Sequence, residues 1–262
     1  MSGTVRFARD AQDARIGLIT LSNPGKLNAI SVAMWRELRE IATALDARRP
    51  ALHAVIVRGD GDDFAAGADI EEFPARRFDT ASLRDYHEAQ VAPALQALLD
   101  CDVPLVAQIA GACIGGGLEI ACCCDLRLAQ TEARFGVPIA RLGFPMAPDE
   151  LAVLLGAVGR ATATELLLEA RLVDADGALR RGLVQRLADD VAAEAEASAR
   201  RIAALPASVA RTNKRTLRLL RRGTVGEAER ALHFHYAAGA VHREGVGAFL
   251  AGREPHFHDE LP

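Results

Sequence analysis

Gly111-Ala-Cys-Ile-Gly-Gly-Gly-Leu-Glu119 follows the apolar run Pro104-Leu-Val-Ala-Gln-Ile109 and leads into the stretch Leu118–Cys124. The run reads as a buried strand and the stretch as a helix, so three glycines occupy a strand-to-helix turn. Three in succession cost backbone entropy and are used where a ligand atom must come close to the main chain. A helix start also offers unpaired N–H groups and the positive end of the helix dipole. Glu119 lies one turn inside. Anion-stabilising amides beside an acid–base group suggest carbonyl chemistry through an oxyanion. Two plainer readings stand beside this one. The glycines can simply let a helix pack closely on a strand, and an acid in a first helical turn can stabilise the dipole or cap an N–H. Nucleotide motifs do not fit. A dinucleotide fingerprint needs a last Gly or Ala where this chain has Ile120, and a P-loop needs a lysine, which is absent here.

Upstream, Val5–Arg9 and Ile16–Leu21 read as strands joined by a hairpin at Asp10–Arg15, and Ser22-Asn-Pro-Gly is turn chemistry. Ser31 can cap a helix to about Arg48, with Met34, Leu38, Ile41 and Leu45 on one face. Leu52–Arg58 reads as a strand and Gly59–Asp63 as a loop. A polar, arginine-rich segment spans Glu71–Asp79, and a helix starting at Thr80 or Ser82 runs to Asp100. Downstream come short strands at Asp125–Ala129 and Ala133–Val137, a helix with Pro148 at its first position, a break at Gly182 and a strand at Leu183–Leu187. From Val191 the pattern is helical, over Val191–Leu205, Ser208–Arg222 and Val225–Leu250. The expected organisation is an α/β core over residues 1–190 and a helical region over 191–262, whose apolar residues suit a contact with another subunit.

The 262 residues carry a net charge of −4, with half of them hydrophobic and a quarter charged. That is ordinary soluble composition, and nothing basic enough argues for nucleic acid. No apolar stretch is expected to reach membrane-span length, and Met1-Ser-Gly-Thr lacks signal-peptide character, so no membrane role and a cytoplasmic setting are expected. The five cysteines, Cys101, Cys113 and Cys122-Cys-Cys124, form no Cys-x-x-Cys pair and read as small apolar residues of a reduced protein. His233 and His235 face different ways, His256 and His258 flank Phe257, and neither pair has a third metal ligand at useful spacing. Tyr86 and His87 read as ordinary residues in the middle of a helix.

Three segments taken together resemble the crotonase superfamily, the enoyl-CoA hydratase/isomerase fold. They are Asn23-Pro-Gly-Lys-Leu-Asn-Ala-Ile30, Phe64-Ala-Ala-Gly-Ala-Asp-Ile70, and the glycine turn with Glu119 followed by Cys124-Asp-Leu-Arg127. Weaker echoes continue in order through Phe135-Gly-Val-Pro138, Leu142-Gly143, Val158-Gly-Arg160, Gly182-Leu-Val184 and Glu244–Phe249. The resemblance implies a spiral of ββα units with a C-terminal helical region that assembles trimers or dimers of trimers. It implies acyl-CoA thioester substrates, coenzyme A being part of the substrate, with no other cofactor and no metal. By motif position the thioester enolate oxygen would be held by the amides of Ala68 and Gly116, with Ala66, Asp69 and Ile70 along the same substrate-binding segment. Glu119 matches the first of two glutamates that hydratases of this family place on a water.

The second glutamate normally follows the proline of the Phe-Gly-x-Pro segment, where this chain has Ile139. Hydration of a 2-enoyl-CoA is the expected reaction, and three explanations of the departure stay open. Glu119 can act alone as a slow or specialised hydratase. A substitute acid such as Asp149 or Glu150 can serve another enolate reaction of the family, whether isomerisation, decarboxylation or C–C cleavage. Or the chain binds acyl-CoA with little turnover. Lys26 and Arg253 are the cations expected near the coenzyme, and Glu71–Tyr86 is the expected wall of the acyl pocket.

Overall fold

The computed structural model describes residues 3–47 and 52–257. The expected hairpin forms as β1 (Thr4–Arg9) paired antiparallel with β2 (Ile16–Ser22). Ser31 caps α1 (Val32–Ala44) by accepting from the Met34 amide, and Met34, Trp35, Leu38 and Ala42 bury one face. The helix ends at Ala44, short of the expected Arg48, which lies outside the described residues, as do Met1, Ser2 and His258. Next come β3 (Ala54–Gly59), a 3-10 turn at Ile70–Glu72, α2 (Phe73–Arg76) and α3 (Thr80–Arg84). A π-helical segment, Asp85–Val91, runs directly into α4 (Ala92–Asp100).

The central strand β4 (Leu105–Ile109) is followed by β5 (Ala112–Ile114) and α5 (Gly116–Cys123). Then come β6 (Leu126–Gln130), β7 (Arg134–Gly136), a 3-10 turn at Pro138–Leu142, α6 (Pro148–Glu169), β8 (Val173–Asp174), α7 (Ala175–Arg180) and β9 (Arg186–Ala188). The chain closes with α8 (Val191–Ala203), α9 (Ala207–Arg222), α10 (Glu227–His233), a 3-10 turn at His235–Ala238 and α11 (Ala240–Leu250). The continuous helix expected over Val225–Leu250 is therefore broken. Three ring-bearing residues, Phe234, His235 and Tyr236, give way to Gly239, whose extended backbone starts α11.

Six strands form one sheet in the order β1-β2-β3-β4-β6-β9, parallel throughout except for β1. Both faces are covered, which is why the inner strands read as unbroken apolar runs. One face packs against α1, α4 and α5. The other is closed by α8, whose Val191, Ala195, Ala199 and Ala203 lie on Ile16, Ala54, Ile56, Val106 and Leu128. The composition shift at residue 191 therefore opens with a helix that completes the sheet's core, and the exposed apolar side chains of the helical region start beyond it, at Leu205 and Val209. A second sheet, β5-β7-β8, carries the glycine turn away from the main one.

One expectation needs correcting. The helix α6 is 22 residues long and apolar enough to match a membrane span by length and composition. Gly159 interrupts it with φ of 72° and ψ of 171°, and Asp149 and Glu150 occupy its first turn. Each straight half is about 10 residues, too short for the roughly 20 that a bilayer core needs. Val153, Leu154, Ala163 and Leu166 are buried in the protein.

The segment Phe64–Ile70 lies along β5. Ala65 N–H donates to Ala112 O at 2.9 Å and Ile114 N–H to Ala65 O at 3.0 Å. The two backbones are so close that a Cβ on Gly117 would fall 2.5 Å from the Ala65 carbonyl oxygen. Gly117→Ala is therefore expected to cost about 1–3 kcal/mol by overpacking, read as a lower urea midpoint. An unchanged midpoint would mean that these segments are not in this contact.

Candidate active site

The loop Asn23–Ile30 sets the first wall. Asn28 accepts from the Asn23 amide and donates to the Asp60 and Asp63 carbonyls, while Asn23 Nδ2 donates to Ala29 O. Buried asparagines satisfied in this way hold Leu27 and Asn28 at positive φ, 47° and 57°. So shaped, the loop accepts the Ala66 amide on Leu27 O, and Ile30 bridges Ala68 by donating to Gly67 O and accepting from the Asp69 amide. A parallel bridge of this kind uses the groups flanking Ala68 and leaves the Ala68 N–H aimed at the opposite edge.

Gly116 lies on that edge. As the first residue of α5 its N–H has no intrahelical acceptor. Among the described residues neither the Ala68 nor the Gly116 N–H has a hydrogen-bond partner. A Cβ on Gly116 would stand 3.8 Å from the Ala68 nitrogen and 3.0 Å from the Trp35 ring, so the two amides are neighbours with an indole packed beside them. Gly67 (φ 104°) and Gly115 (φ 49°) make the approach possible, since a Cβ on Gly115 would sit 3.7 Å from the Gly67 Cα. Two unpartnered amides from separate segments thus lie side by side.

Glu119 is buried one turn further along α5. The helix cap receives no side-chain hydrogen bond, and no described residue hydrogen-bonds the Glu119 carboxyl, so it is not a capping residue. Burial, with the Glu150 carboxyl nearby, pushes its pKa well above the usual carboxylate range, and the Arg77 charge acts against that.

Of the two substitute acids, the structure turns Glu150 inward and leaves Asp149 exposed. Glu150, in the first turn of α6, is buried, and burial raises it to about 8 against the pull of Arg77. Asp149 lines a separate cavity of about 500 Å³ between α4, α6 and α9, with Leu95, Gln96 and Arg221. Ile139 sits half-buried in the 3-10 turn Pro138–Leu142, packed against the main core.

Three further side chains converge here without having stood out in the sequence. His87 Nδ1 lies 2.5 Å from Glu150 Oε1. Tyr86 is buried and takes a hydrogen bond from Trp35 Nε1 at 3.3 Å. Both lie in the π-helical segment, Tyr86 packed in the core and His87 half-buried, in keeping with their reading as surface or packing residues. Arg77, from the arginine-rich segment, lies over the rings of Phe73 (3.9 Å), Tyr86 (4.4 Å) and Phe144 (5.1 Å). Its charge reaches Glu119, Glu150 and His87 alike.

The expected coenzyme cations are engaged elsewhere. Lys26 Nζ is 2.7 Å from both Asp69 and Glu71, which clasps the 23–30 loop to the turn beyond Ala68. Arg253 pairs with Glu244 at 2.7 Å. Ala66 and Asp69 are backbone-anchored in the same segment, with Asp69 buried, and Ile70 is exposed. The Cys124-Asp125 pair is structural: Asp125 accepts from the Leu105 amide and pairs with Lys214. All five cysteines are free and buried, which pushes Cys101, Cys122 and Cys124 up to about 12 and keeps them unreactive. Among the described residues no group of three His, Cys, Asp or Glu side chains could hold a metal ion.

A family model described as enoyl-CoA hydratase/isomerase matches residues 11–260. Proteins named probable enoyl-CoA hydratase echA8 in Mycobacterium bovis and Mycobacterium tuberculosis are 36% identical over 251 residues, covering 94% of this chain and 95% of theirs. A probable enoyl-CoA hydratase of Rhizobium meliloti is 35% identical over 248 residues, covering 93% and 94%. Among solved structures, an enoyl-CoA hydratase/carnithine racemase from Magnetospirillum magneticum superposes with a TM-score of 0.92 at 39% identity, over 98% of this chain and 96% of that one.

A buried carboxyl held at about 8 has a stability consequence. Below pH 4 both folded and unfolded chains hold the proton. As pH rises past the unfolded value the unfolded chain releases its proton while the folded chain keeps it, so stability falls until about pH 8. Glu150→Gln removes that loss. The variant is expected to match the native chain near pH 4 and to exceed it by about 2–4 kcal/mol at pH 8, measured by denaturant unfolding across pH. A difference that does not grow with pH would contradict a protonated Glu150.

Proposed function

The chain belongs to the enoyl-CoA hydratase/isomerase family, and we infer that it adds water to a 2-enoyl-CoA thioester to give the 3-hydroxyacyl-CoA. Its α/β fold is of the crotonase type, and its relatives carry the same activity in their names. The observation that supports hydration despite Ile139 is the second buried carboxyl, Glu150, close enough to Glu119 for its charge to raise the Glu119 carboxyl.

In this reading the thioester oxygen lies between the Ala68 and Gly116 amides. Charge develops there only as the enolate forms, so fixed N–H dipoles favour the transition state over the substrate. The Glu119 carboxylate takes a proton from water while the water oxygen bonds to the β-carbon. The double-bond electrons move into the thioester enolate. As the enolate collapses, the α-carbon takes the proton carried by Glu150. Glu119 ends protonated and Glu150 ionised, and one proton returned from Glu119 to Glu150 resets the pair. Two carboxyls in one dry site suit this work, because like charges oppose double ionisation, so that loss of one proton from the pair leaves one carboxylate beside one acid. Arg77 offsets the charge of whichever carboxyl is ionised.

The remaining features extend the reading. The exposed Leu217, Leu220, Phe234, Phe249 and Leu250 of the C-terminal helices favour a homotrimer or dimer of trimers. Five unpaired thiols fit a reducing cytoplasm. The chemistry requires no cofactor beyond the coenzyme A of the substrate. The ion pairs of Lys26 and Arg253 must rearrange for either to meet coenzyme phosphates.

Crotonyl-CoA hydration tests the assignment. Glu119→Gln and Glu150→Gln are each expected to lower kcat by about 10²–10⁴, with acyl-CoA binding preserved. Ile139→Glu in the Glu150→Gln background is expected to recover part of that loss by returning a carboxyl from the neighbouring turn. Full activity in Glu119→Gln would reject the assignment.

A further inference from the structure

His87 and Glu150 form the closest side-chain contact to the proposed acid, 2.5 Å between Nδ1 and Oε1, with side chains only 15% and 6% exposed. The imidazole plane is fixed. The Tyr86 ring meets it edge-on at 5.0 Å and 89°, and Tyr86 is itself held by Trp35 Nε1 and by the guanidinium of Arg77. This placement depends on the π-helical segment Asp85–Val91, since π turns widen the helix locally and recur at functional sites. The facing groups are Arg77 from the segment after α2, Glu119 from α5, Glu150 and its neighbour Asp149 from α6, and Tyr86 on the same element; Asp85 and Glu88 lie on that element too. Burial and the Arg77 charge hold His87 at about 4, so it is neutral at working pH.

A neutral imidazole can meet a carboxyl in two ways. If Nδ1 is bare, it accepts the acid's O–H, and the proton is drawn onto Oε1, toward His87. If Nδ1 carries hydrogen, it donates to Oε1, and the acid proton is confined to Oε2. Only the second arrangement leaves the proton free for delivery and keeps a donor on the carboxylate that delivery creates.

We propose that His87 is a positioning residue that donates from Nδ1 to Glu150 Oε1, and so fixes the oxygen from which Glu150 gives its proton. The assignment rests on Glu150 as the acid of hydration. It makes His87 and Glu150 a unit that replaces the carboxyl missing at Ile139.

Two measurements test it. In crotonyl-CoA hydration, His87→Leu is expected to lower kcat about 10- to 100-fold, a fraction of the roughly 10²–10⁴ that a positioned acid contributes, with KM near the native value. Without its donor the Glu150 carboxylate is less favoured, so the alkaline limb of the pH–kcat profile moves up. His87→Asn, which keeps an N–H near the Nδ1 position, is expected to restore most of both. In ¹⁵N-labelled native protein the His87 resonances, assigned by their loss in His87→Asn, should show hydrogen on Nδ1. A folded His87→Leu enzyme with native kcat and native pH limb overturns the proposal, as does a bare Nδ1. If the Leu variant does not fold, the Asn variant and the ring nitrogens still decide. A native enzyme inactive on all 2-enoyl thioesters would instead defeat the hydratase reading itself.

Discussion

Everything at this site depends on how closely two stretches of main chain approach each other. The Phe64–Ile70 segment and the β5–α5 turn lie at distances where a single extra carbon at Gly117 would collide with the Ala65 carbonyl. Main-chain donors cannot be reached into position by a flexible side chain. They must be delivered by the fold, and the rest of the architecture is arranged to do so. The asparagine-locked loop fixes one edge of Ala68 through Ile30, and the second sheet carries Gly116 to the other edge. The Trp35 ring then packs beside Gly116. Rigidity here suits the proposed chemistry, because dipoles that do not reorganise stabilise developing charge at little further cost.

Against this rigid backbone stands a charged interior that folding alone would not select. Two carboxyls, a neutral histidine and one arginine share a poorly solvated space, and the protein tolerates the loss of stability that comes with a carboxyl kept protonated at neutral pH. The arginine is stabilised by three aromatic rings rather than by a full set of hydrogen bonds, and its Nε is buried without a partner. Such a centre costs stability, and strongly perturbed groups of this kind cluster at functional sites.

Much of this could be read from the chain itself, for identifiable reasons. The glycines of residues 115–117, the Ser31 cap and the strand pattern are local signals, and each produced the element it indicated. The departure at Ile139 was equally plain as an absence. Which neighbouring acid turns inward was not, because Asp149 and Glu150 are adjacent in a first helical turn, and only the way α6 packs on α5 decides it. Arg77 was hidden among other arginines in a polar segment, and nothing in its neighbours marks it as the one caged by Phe73, Tyr86 and Phe144. The contact of His87 with Glu150 was not legible because nothing in the sequence marks the π turn that carries it. The break after α10 escaped for a related reason: apolar periodicity continues across Phe234–Gly239 although the backbone does not.

That wider turn has an implication for how such a site arises. A π turn amounts to an α-helix that has gained one residue and absorbed it as a bulge. Without that residue, the positions before it would swing about 100° around the helix relative to those after it. His87 would then no longer keep its present orientation toward Glu150 of α6. The contact of His87 with Glu150 could therefore be acquired or lost through a single-codon insertion or deletion, with the sheet, the glycine turn and Glu119 left untouched.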